Sequence, residues 1–464
     1  MKPLLLGLTA LLLNPLAALP GAELKLAGVF QDHMVLQREQ VLPVWGWAKA
    51  DERVTVTFGD QSHIAVADAS GKWMVNLQAM LASDLPRELV ATTGTQSTKR
   101  TDILVGEVWL AAGQSNMGWA LQRTPVTATL IPQAFDPLLR LGRIPHLFAE
   151  EPQTDIRGCR WASCTPEEAA GFSAVAYVFA RELRKSLNVP VGVLLNAMPS
   201  STAQAWTPRP VLEQDPRLAG YLAKKPKRAA KDAKPDERSP LTACLLYNAR
   251  IAPLIPFATR GVLWYQGEGN NGDPSGYEIL FPAMIQAWRA GWNRPDWPFL
   301  FVQLPPFQGT SPEMRAVQAR CEAKLSHTAM VVTLDVGEAE QIHPANKEPV
   351  GIRLALKARA LVYGEAVEHS GPVFRAATTE GESILVGFDH AEGMHGQDGE
   401  VLGFEVAGED GRFFPAKAEI EATAIRLRSP DVKTPKRVRY AWENFPKANL
   451  VNAADLPAAP FRSE

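Results

Sequence analysis

Hydrophobic and polar positions follow three rhythms along the chain. From 23 to about 100 the apolar residues come in short runs, such as Val41–Trp47 and Val54–Phe58, separated by Gly59-Asp60 and Ser70-Gly71. β-rich runs of this length bounded by turn residues predict strands, and no helical period competes with them. From 101 to about 364, apolar runs alternate with amphipathic stretches. The runs are Leu104–Ala112, Pro190–Leu195, Thr259–Tyr265, Trp297–Gln303 and Ala329–Leu334. Between them, Phe172–Leu187 sets Val175, Val178, Phe179, Leu183 and Leu187 on one helical face. Thr242–Leu254, Phe281–Trp292, Glu313–Leu325 and Val350–Val362 follow the same pattern. Strand and helix in alternation predict a parallel sheet in a three-layer α/β domain. From about 370 the chain returns to strand-like runs, at Ser383–Phe388, Leu402–Val406 and Lys436–Trp442.

These rhythms divide the chain into a β domain at 23–100, an α/β domain at 101–364 and a second β domain at 365–464. Two segments stand outside them. Residues 1–22 carry Lys2, an apolar run Leu4–Leu13, and then the small residues Ala17, Ala18, Gly21 and Ala22. That is the layout of a secretory signal peptide. Asn14 and Pro15 stop the apolar run too soon for a membrane span. The mature protein is therefore expected to be exported, to a periplasm or outside the cell. Residues 224–238 mix Lys and Arg with Asp and Glu and hold almost no large apolar side chains. They read as a solvated surface insertion.

Composition changes this picture little. The chain has 464 residues, of which 46% are hydrophobic, enough for a large core. A net charge of −2 gives no electrostatic case for nucleic acid. Trp outnumbers Tyr, 12 to 7, and tryptophan either stacks on sugar rings or fills a core. Export permits disulfides. Cys159 and Cys164 are close enough in sequence for a local bridge, while Cys244 and Cys321 fall in predicted helices as buried thiols. No Cys/His spacing suits zinc, and no phosphate loop or dinucleotide fingerprint occurs, so no metal or cofactor is called for.

The candidate chemistry starts at Gly113-Gln114-Ser115-Asn116-Met117, which follows the Leu104–Ala112 run. A strand running into this turn delivers Ser115 to the carboxyl edge of a sheet, where ligands bind in open α/β folds. The competing reading is a helix cap made by Ser115 or Asn116. A serine nucleophile needs a base. Of eight histidines, His343 has the right setting, between the last α/β strand and the last helix, with Pro344 restricting its backbone. Glu340, three residues before it, and Asp335, eight before, are candidates to orient the imidazole. Either carboxylate also reads as a surface residue, and some such sites run on Ser and His alone. Oxyanion donors are sought in the Ser115 amide, in Gln266, Gly267 and Asn270 after Trp264-Tyr265, and in the Asn196–Thr202 loop. Trp119 and Trp206 lie near these loops, to hold a sugar or to pack the core.

The motifs together resemble the sialate O-acetylesterase-type carbohydrate esterases of the SGNH hydrolase superfamily. The blocks that carry the likeness are Gly106–Leu110 running into Gly113–Met117, Trp264–Glu268, Asp335-Val336-Gly337 and Ile342-His343-Pro344. Weaker matches lie at Phe30–Arg38, Ala205-Trp206-Thr207, Val438–Trp442 and Pro460-Phe461-Arg462. The resemblance implies a flavodoxin-like three-layer domain flanked by β-sandwich-like domains. It implies a metal-free serine esterase that removes O-acetyl groups from sialic acid or polysaccharide through an acetyl-serine. By position, Ser115 is the nucleophile, His343 the base, and Gln266, Gly267 and Asn270 the oxyanion block. Two positions depart from the family pattern. Glu340 stands where an Asp is usual, and Pro199-Ser200 stands where a Gly-Gly pair supplies an oxyanion amide. Pro199 has no N–H to donate, which leaves Ser200. The alternative is a carbohydrate-binding protein with impaired catalysis.

Overall fold

The structure, a computed structural model, describes residues 23–223 and 240–463. The expected signal peptide at 1–22 and the charged insertion at 224–238 lie outside the described residues.

The central sheet contains β1 (Ser97–Gly113), β2 (Asp136–Arg143), β3 (Arg160–Cys164), β4 (Val191–Ala197), β5 (Gly261–Tyr265), β6 (Phe299–Val302) and β7 (Thr328–Val331). Their spatial order is β3-β2-β4-β1-β5-β6-β7. Neighbours are parallel except β3, which is antiparallel on the edge. Four longer helices flank them: α1 (Ala174–Leu187), α2 (Pro274–Gly291), α3 (Pro312–Lys324) and α4 (Glu348–Leu361). α1 packs on α4, and α2 on α3. The apolar residues of β1 alternate between these two pairs. Trp109 and Ala111 join the cluster containing Val175 of α1 and Leu354 of α4. Val108, Leu110 and Ala112 join the one containing Phe281 of α2 and Met314 of α3. Burial on both faces explains why β1 reads as a continuous apolar run rather than an alternating one.

Local signals set the helix ends. Ser173 caps α1 by accepting from the Ala176 N–H, and Asn188 closes it in a left-handed conformation, φ 50°. Asp273 and Ser311 cap α2 and α3, each followed by a proline in the first turn. α2 begins seven residues before the expected Phe281, because Pro282 lies inside the helix and does not end it. The stretch expected as one helix at 242–254 is a short helix, Leu245–Arg250, and a 3₁₀ turn holding Pro253.

β1 is 17 residues long and serves two sets of neighbours. Its polar first part pairs antiparallel with Ser83–Thr92, and its apolar second part pairs with β4 and β5. The sequence division at 100/101 falls inside this strand, so the N-terminal β region is continuous with the central sheet. At the junction Glu107 is fully buried. It accepts from Arg38 Nε at 2.5 Å, Arg260 Nε at 2.8 Å, Tyr363 Oη at 3.0 Å and Gln37 Nε2 at 3.1 Å. Burial pushes its carboxyl up, but Arg260, Arg38 and Gln37 outweigh that and hold it below the usual range. Beyond α4 come two four-stranded antiparallel sheets enclosing Val386, Val406, Ile425 and Val438. The molecule is thus a mixed α/β protein with one large mixed sheet and several antiparallel ones.

The local Cys159–Cys164 bridge that the spacing allowed does not form; all four cysteines are free and buried. Cys159 directly precedes β3 and Cys164 ends it, and five extended residues span about 16 Å, far beyond disulfide reach. No described helix is long and apolar enough to cross a membrane.

Candidate active site

β1 is the strand where the order turns: the chain pairs it with β4 on one side and β5 on the other. Such a point opens a crevice at the carboxyl ends of the strands. Gly113 ends β1 there with φ 135°, and a Cβ at this position would sit 2.2 Å from the Tyr265 carbonyl oxygen. Only glycine fits so close an approach. The turn is then bonded to both neighbours. Gln114 N–H donates to Tyr265 O, and Met198 N–H donates to Gly113 O, each at 2.9 Å. Gly118 N–H closes the turn on Gln114 O at 3.0 Å. A 3₁₀ turn, Leu121–Arg123, follows, so Ser115 and Asn116 cap no α-helix here.

Ser115 Oγ lies 2.7 Å from His343 Nε2, although 228 residues separate them. His343 is half-buried and its ring stacks on Trp119, with centroids 5.1 Å apart and planes at 23°. Arg123 lies 3.7 Å over the same Trp119 ring. Burial, then the charges of Lys347 and Arg123, push the imidazole below its ordinary range. A neutral Nε2 facing Oγ is the state that accepts a hydroxyl proton.

The two carboxylates considered for the histidine go elsewhere. Asp335 pairs with Arg353, at 2.7 and 2.5 Å. Glu340 is exposed. Among the described residues no hydrogen bond joins either to His343.

The expected oxyanion block also faces inward. Gln266 Nε2 donates to Asn270 Oδ1 at 2.9 Å and to Ser201 O at 3.2 Å. Asn270 Oδ1 accepts from Ala203 N–H at 2.8 Å, and its Nδ2 donates to Gln204 Oε1 at 2.9 Å. The N–H groups of Gly267 and Gly269 lean on Gln114 Oε1, at 3.4 and 3.3 Å. These donors are spent on fixing the 201–204 segment and the Gln114 turn. Ser200, just before that segment, is exposed and left-handed, φ 59°, the region glycine favours. The backbone at this position therefore takes a glycine-like shape without a glycine. Among the described residues no hydrogen bond uses the N–H of Ser115 or Ser200.

Trp206 is corrected to a core residue. It is fully buried, its Nε1 donates to Ser201 Oγ at 2.9 Å, and it packs edge-on against Trp264. The core-packing reading is the one its burial supports. Trp119 stays half-buried beside His343.

Sequence reasoning missed a buried polar group behind Ser115. Asn116 Nδ2 donates to Glu268 Oε1 in a short contact and to Ile342 O at 3.0 Å, while its Oδ1 accepts from Lys347 Nζ at 2.5 Å. Glu268 Oε2 is buried with no partner. Burial raises the Glu268 carboxyl despite the Asn116 bond and the Lys347 charge. Burial likewise pushes the fully enclosed Lys347 down to about 7, against the pull of Glu268 and Glu338. Glu268 was within reach of sequence, since it sits in the Trp264–Glu268 block. Lys347 carried no signal, because a lysine before a helix reads as solvated.

Comparison with known proteins gives a consistent result. Residues 105–359 match the family model for carbohydrate esterases described as sialic acid-specific acetylesterase. The sialate O-acetylesterase of Rattus norvegicus is 29% identical over 513 residues, covering 95% of this chain and 94% of the relative. That of Homo sapiens is 28% identical over 494 residues, covering 95% and 92%. A carbohydrate acetylesterase from Xanthomonas citri superposes with a TM-score of 0.87 at 36% identity, covering 95% of this chain and 99% of that one.

Proposed function

The chain belongs to the sialic acid-specific acetylesterase family of carbohydrate esterases, and from that premise we propose that it hydrolyses O-acetyl esters of carbohydrates with Ser115 as nucleophile. The observation that carries this reading is the 2.7 Å contact between Ser115 Oγ and His343 Nε2 at the strand-order reversal. Ser115 Oγ attacks the acetyl carbonyl as its proton passes to His343 Nε2. The tetrahedral oxyanion is held by the amides of Ser115 and Ser200. The imidazolium then protonates the departing sugar hydroxyl, leaving an acetyl-serine. Water, deprotonated by His343, attacks that ester; the acyl–Oγ bond breaks as the imidazolium returns the proton to Ser115 Oγ, and acetate leaves. Trp119 keeps the imidazole plane facing Ser115.

The β4-β1-β5-β6-β7 order supports the three-layer, flavodoxin-like SGNH reading of the central domain, with the N-terminal β region joined to it through β1 and the C-terminal β region as a separate module. An acetylated glycan, sialic acid or polysaccharide, is the substrate we propose, and an exported location fits it. The reading is tested with 4-nitrophenyl acetate and an acetylated oligosaccharide. Ser115→Ala lowers kcat/KM by at least about 10³-fold, and a serine-directed organophosphate labels the wild type at Ser115. Wild-type rates in the alanine variant overturn it. Sugar binding without labelling favours the impaired carbohydrate-binding alternative.

A further inference from the structure

Neither Asp335 nor Glu340 reaches His343, so something else must hold the base against the nucleophile. Asn116 is placed to do so. It follows Ser115 directly, and its side-chain amide bonds the Ile342 carbonyl, the peptide group that leads into His343. One side chain therefore ties the nucleophile turn to the base loop. Its orientation is determined by its partners. Both Nδ2 hydrogens are used, on Ile342 O and Glu268 Oε1, and Oδ1 receives the Lys347 ammonium. A flipped amide would set oxygen against two oxygens and nitrogen against a cation.

We propose that Asn116, clamped between Lys347 and Glu268, is the positioning residue that holds His343 on Ser115 in place of a carboxylate on the imidazole. The proposal rests on the Ser115 reading above and adds to it the element that orients the base. Asn116 touches no reacting atom; it acts through the backbone of Ile342 and the turn of Ser115. The clamp also sets the charge around the base. The groups facing His343 are Lys347 and Arg123, and those facing Lys347 are Glu268 and Glu338. Lys347 is thus the buried cation nearest the chemistry, with a partly compensated charge, and it works against an imidazolium that would form too early.

The test compares full-length wild type with Ser115→Ala, Asn116→Asp, Lys347→Met and Lys347→Arg, on 4-nitrophenyl acetate across pH. Asn116→Asp is isosteric and keeps the Lys347 contact, but has no hydrogens for Ile342 O or Glu268. Displacing a base by about an ångström costs on the order of 100-fold. We expect kcat to fall by about that factor with KM within threefold. In Lys347→Met the loss of the cation moves the acid limb of kcat/KM to higher pH, and Lys347→Arg restores it. A merely structural role would lower kcat and thermal stability together and leave the limb in place, and that result overturns the proposal. So does a wild-type kcat in Asn116→Asp while Ser115→Ala is inactive. Activity retained in Ser115→Ala instead overturns the nucleophile assignment itself.

Discussion

Two buried glutamates mark the two ends of the central sheet, and they are treated in opposite ways. Glu107, where β1 enters its parallel pairing, has four side-chain partners including two arginines, and its carboxyl lies below the usual range. Glu268, just past the end of β5, has one neutral donor and a partnerless Oε2, and its carboxyl lies above it. Both pay desolvation, but only Glu107 recovers it in hydrogen-bonded charge pairs. The carboxyl end also holds Lys347, pushed down to about 7, and the left-handed Ser200. Incompletely compensated burial of Glu268 and Lys347 beside the Ser115–His343 pair is the pattern expected where groups are arranged for chemistry rather than stability. The amino end fastens the fold, and the carboxyl end spends stability.

The largest effect should come from breaking the fastened end. Glu107→Ala leaves Arg38 and Arg260 facing each other without their carboxylate, and removing one partner of a buried ion pair costs about 3–5 kcal/mol. Urea unfolding at pH 7 measures it, and rates per folded molecule should match wild type. The pH dependence follows from the sign of the shift. A carboxyl held below its unfolded value stabilises the fold above about 4.3, and that contribution is lost as pH falls through the folded value. The alanine variant should lose this acid sensitivity. A variant as stable as wild type would mean that the five side-chain hydrogen bonds to Glu107 merely balance desolvation.

The matching change at the other end should spare stability. Glu268→Gln replaces an incompletely partnered carboxyl with an isosteric amide and should shift unfolding by under about 1 kcal/mol, while lowering kcat through its bond to Asn116. If its unfolding cost rivals that of Glu107→Ala, the contrast between the two ends is gone.

The sequence carried the fold further than the site. Apolar runs bounded by turns placed β1, β4, β5, β6 and β7, since strands buried on both faces leave a continuous signal. β2 and β3 were missed because Asp136–Arg143 and Arg160–Cys164 mix charge with apolar residues, β3 on the edge of the sheet and β2 beside it. The Ser115–His343 pair was legible because each stands in a strand-end loop. Its support was not. Proximity in sequence suggested Glu340, yet the 338–341 segment closes on itself, with Gln341 N–H on Glu338 O at 3.3 Å. The groups that do surround the pair come from residues 116, 268 and 347, and hydrogen bonds between such distant positions leave no local period to read.

Lys347 offers a graded test of the costly end. In the folded protein Lys347 gives up its proton above about 7, whereas an unfolded lysine keeps its proton to about 10.4. Below the folded value both states are charged and the cost is fully present. Between the two values only the unfolded chain holds the proton, so stability rises with pH. Lys347→Met should flatten that rise in urea midpoints taken from pH 7 to 10. For activity, His343 sits below the ordinary imidazole value of about 6.5, so the acid limb of wild-type kcat/KM should fall below that pH.

The smallest effect belongs to Ser200. A side chain in the left-handed region costs about 1–2 kcal/mol, and glycine removes that cost while adding some freedom to the unfolded chain. Ser200→Gly should therefore gain about 0.5–1 kcal/mol. The amide proposed for the oxyanion survives the change, so kcat should stay within about twofold. These two readouts separate backbone from side chain. A stability gain with unchanged kcat makes Ser200 a glycine position filled by a tolerated serine. A tenfold loss of kcat would instead assign work to the exposed hydroxyl, and the departure from Gly-Gly would then be part of how this site meets its substrate.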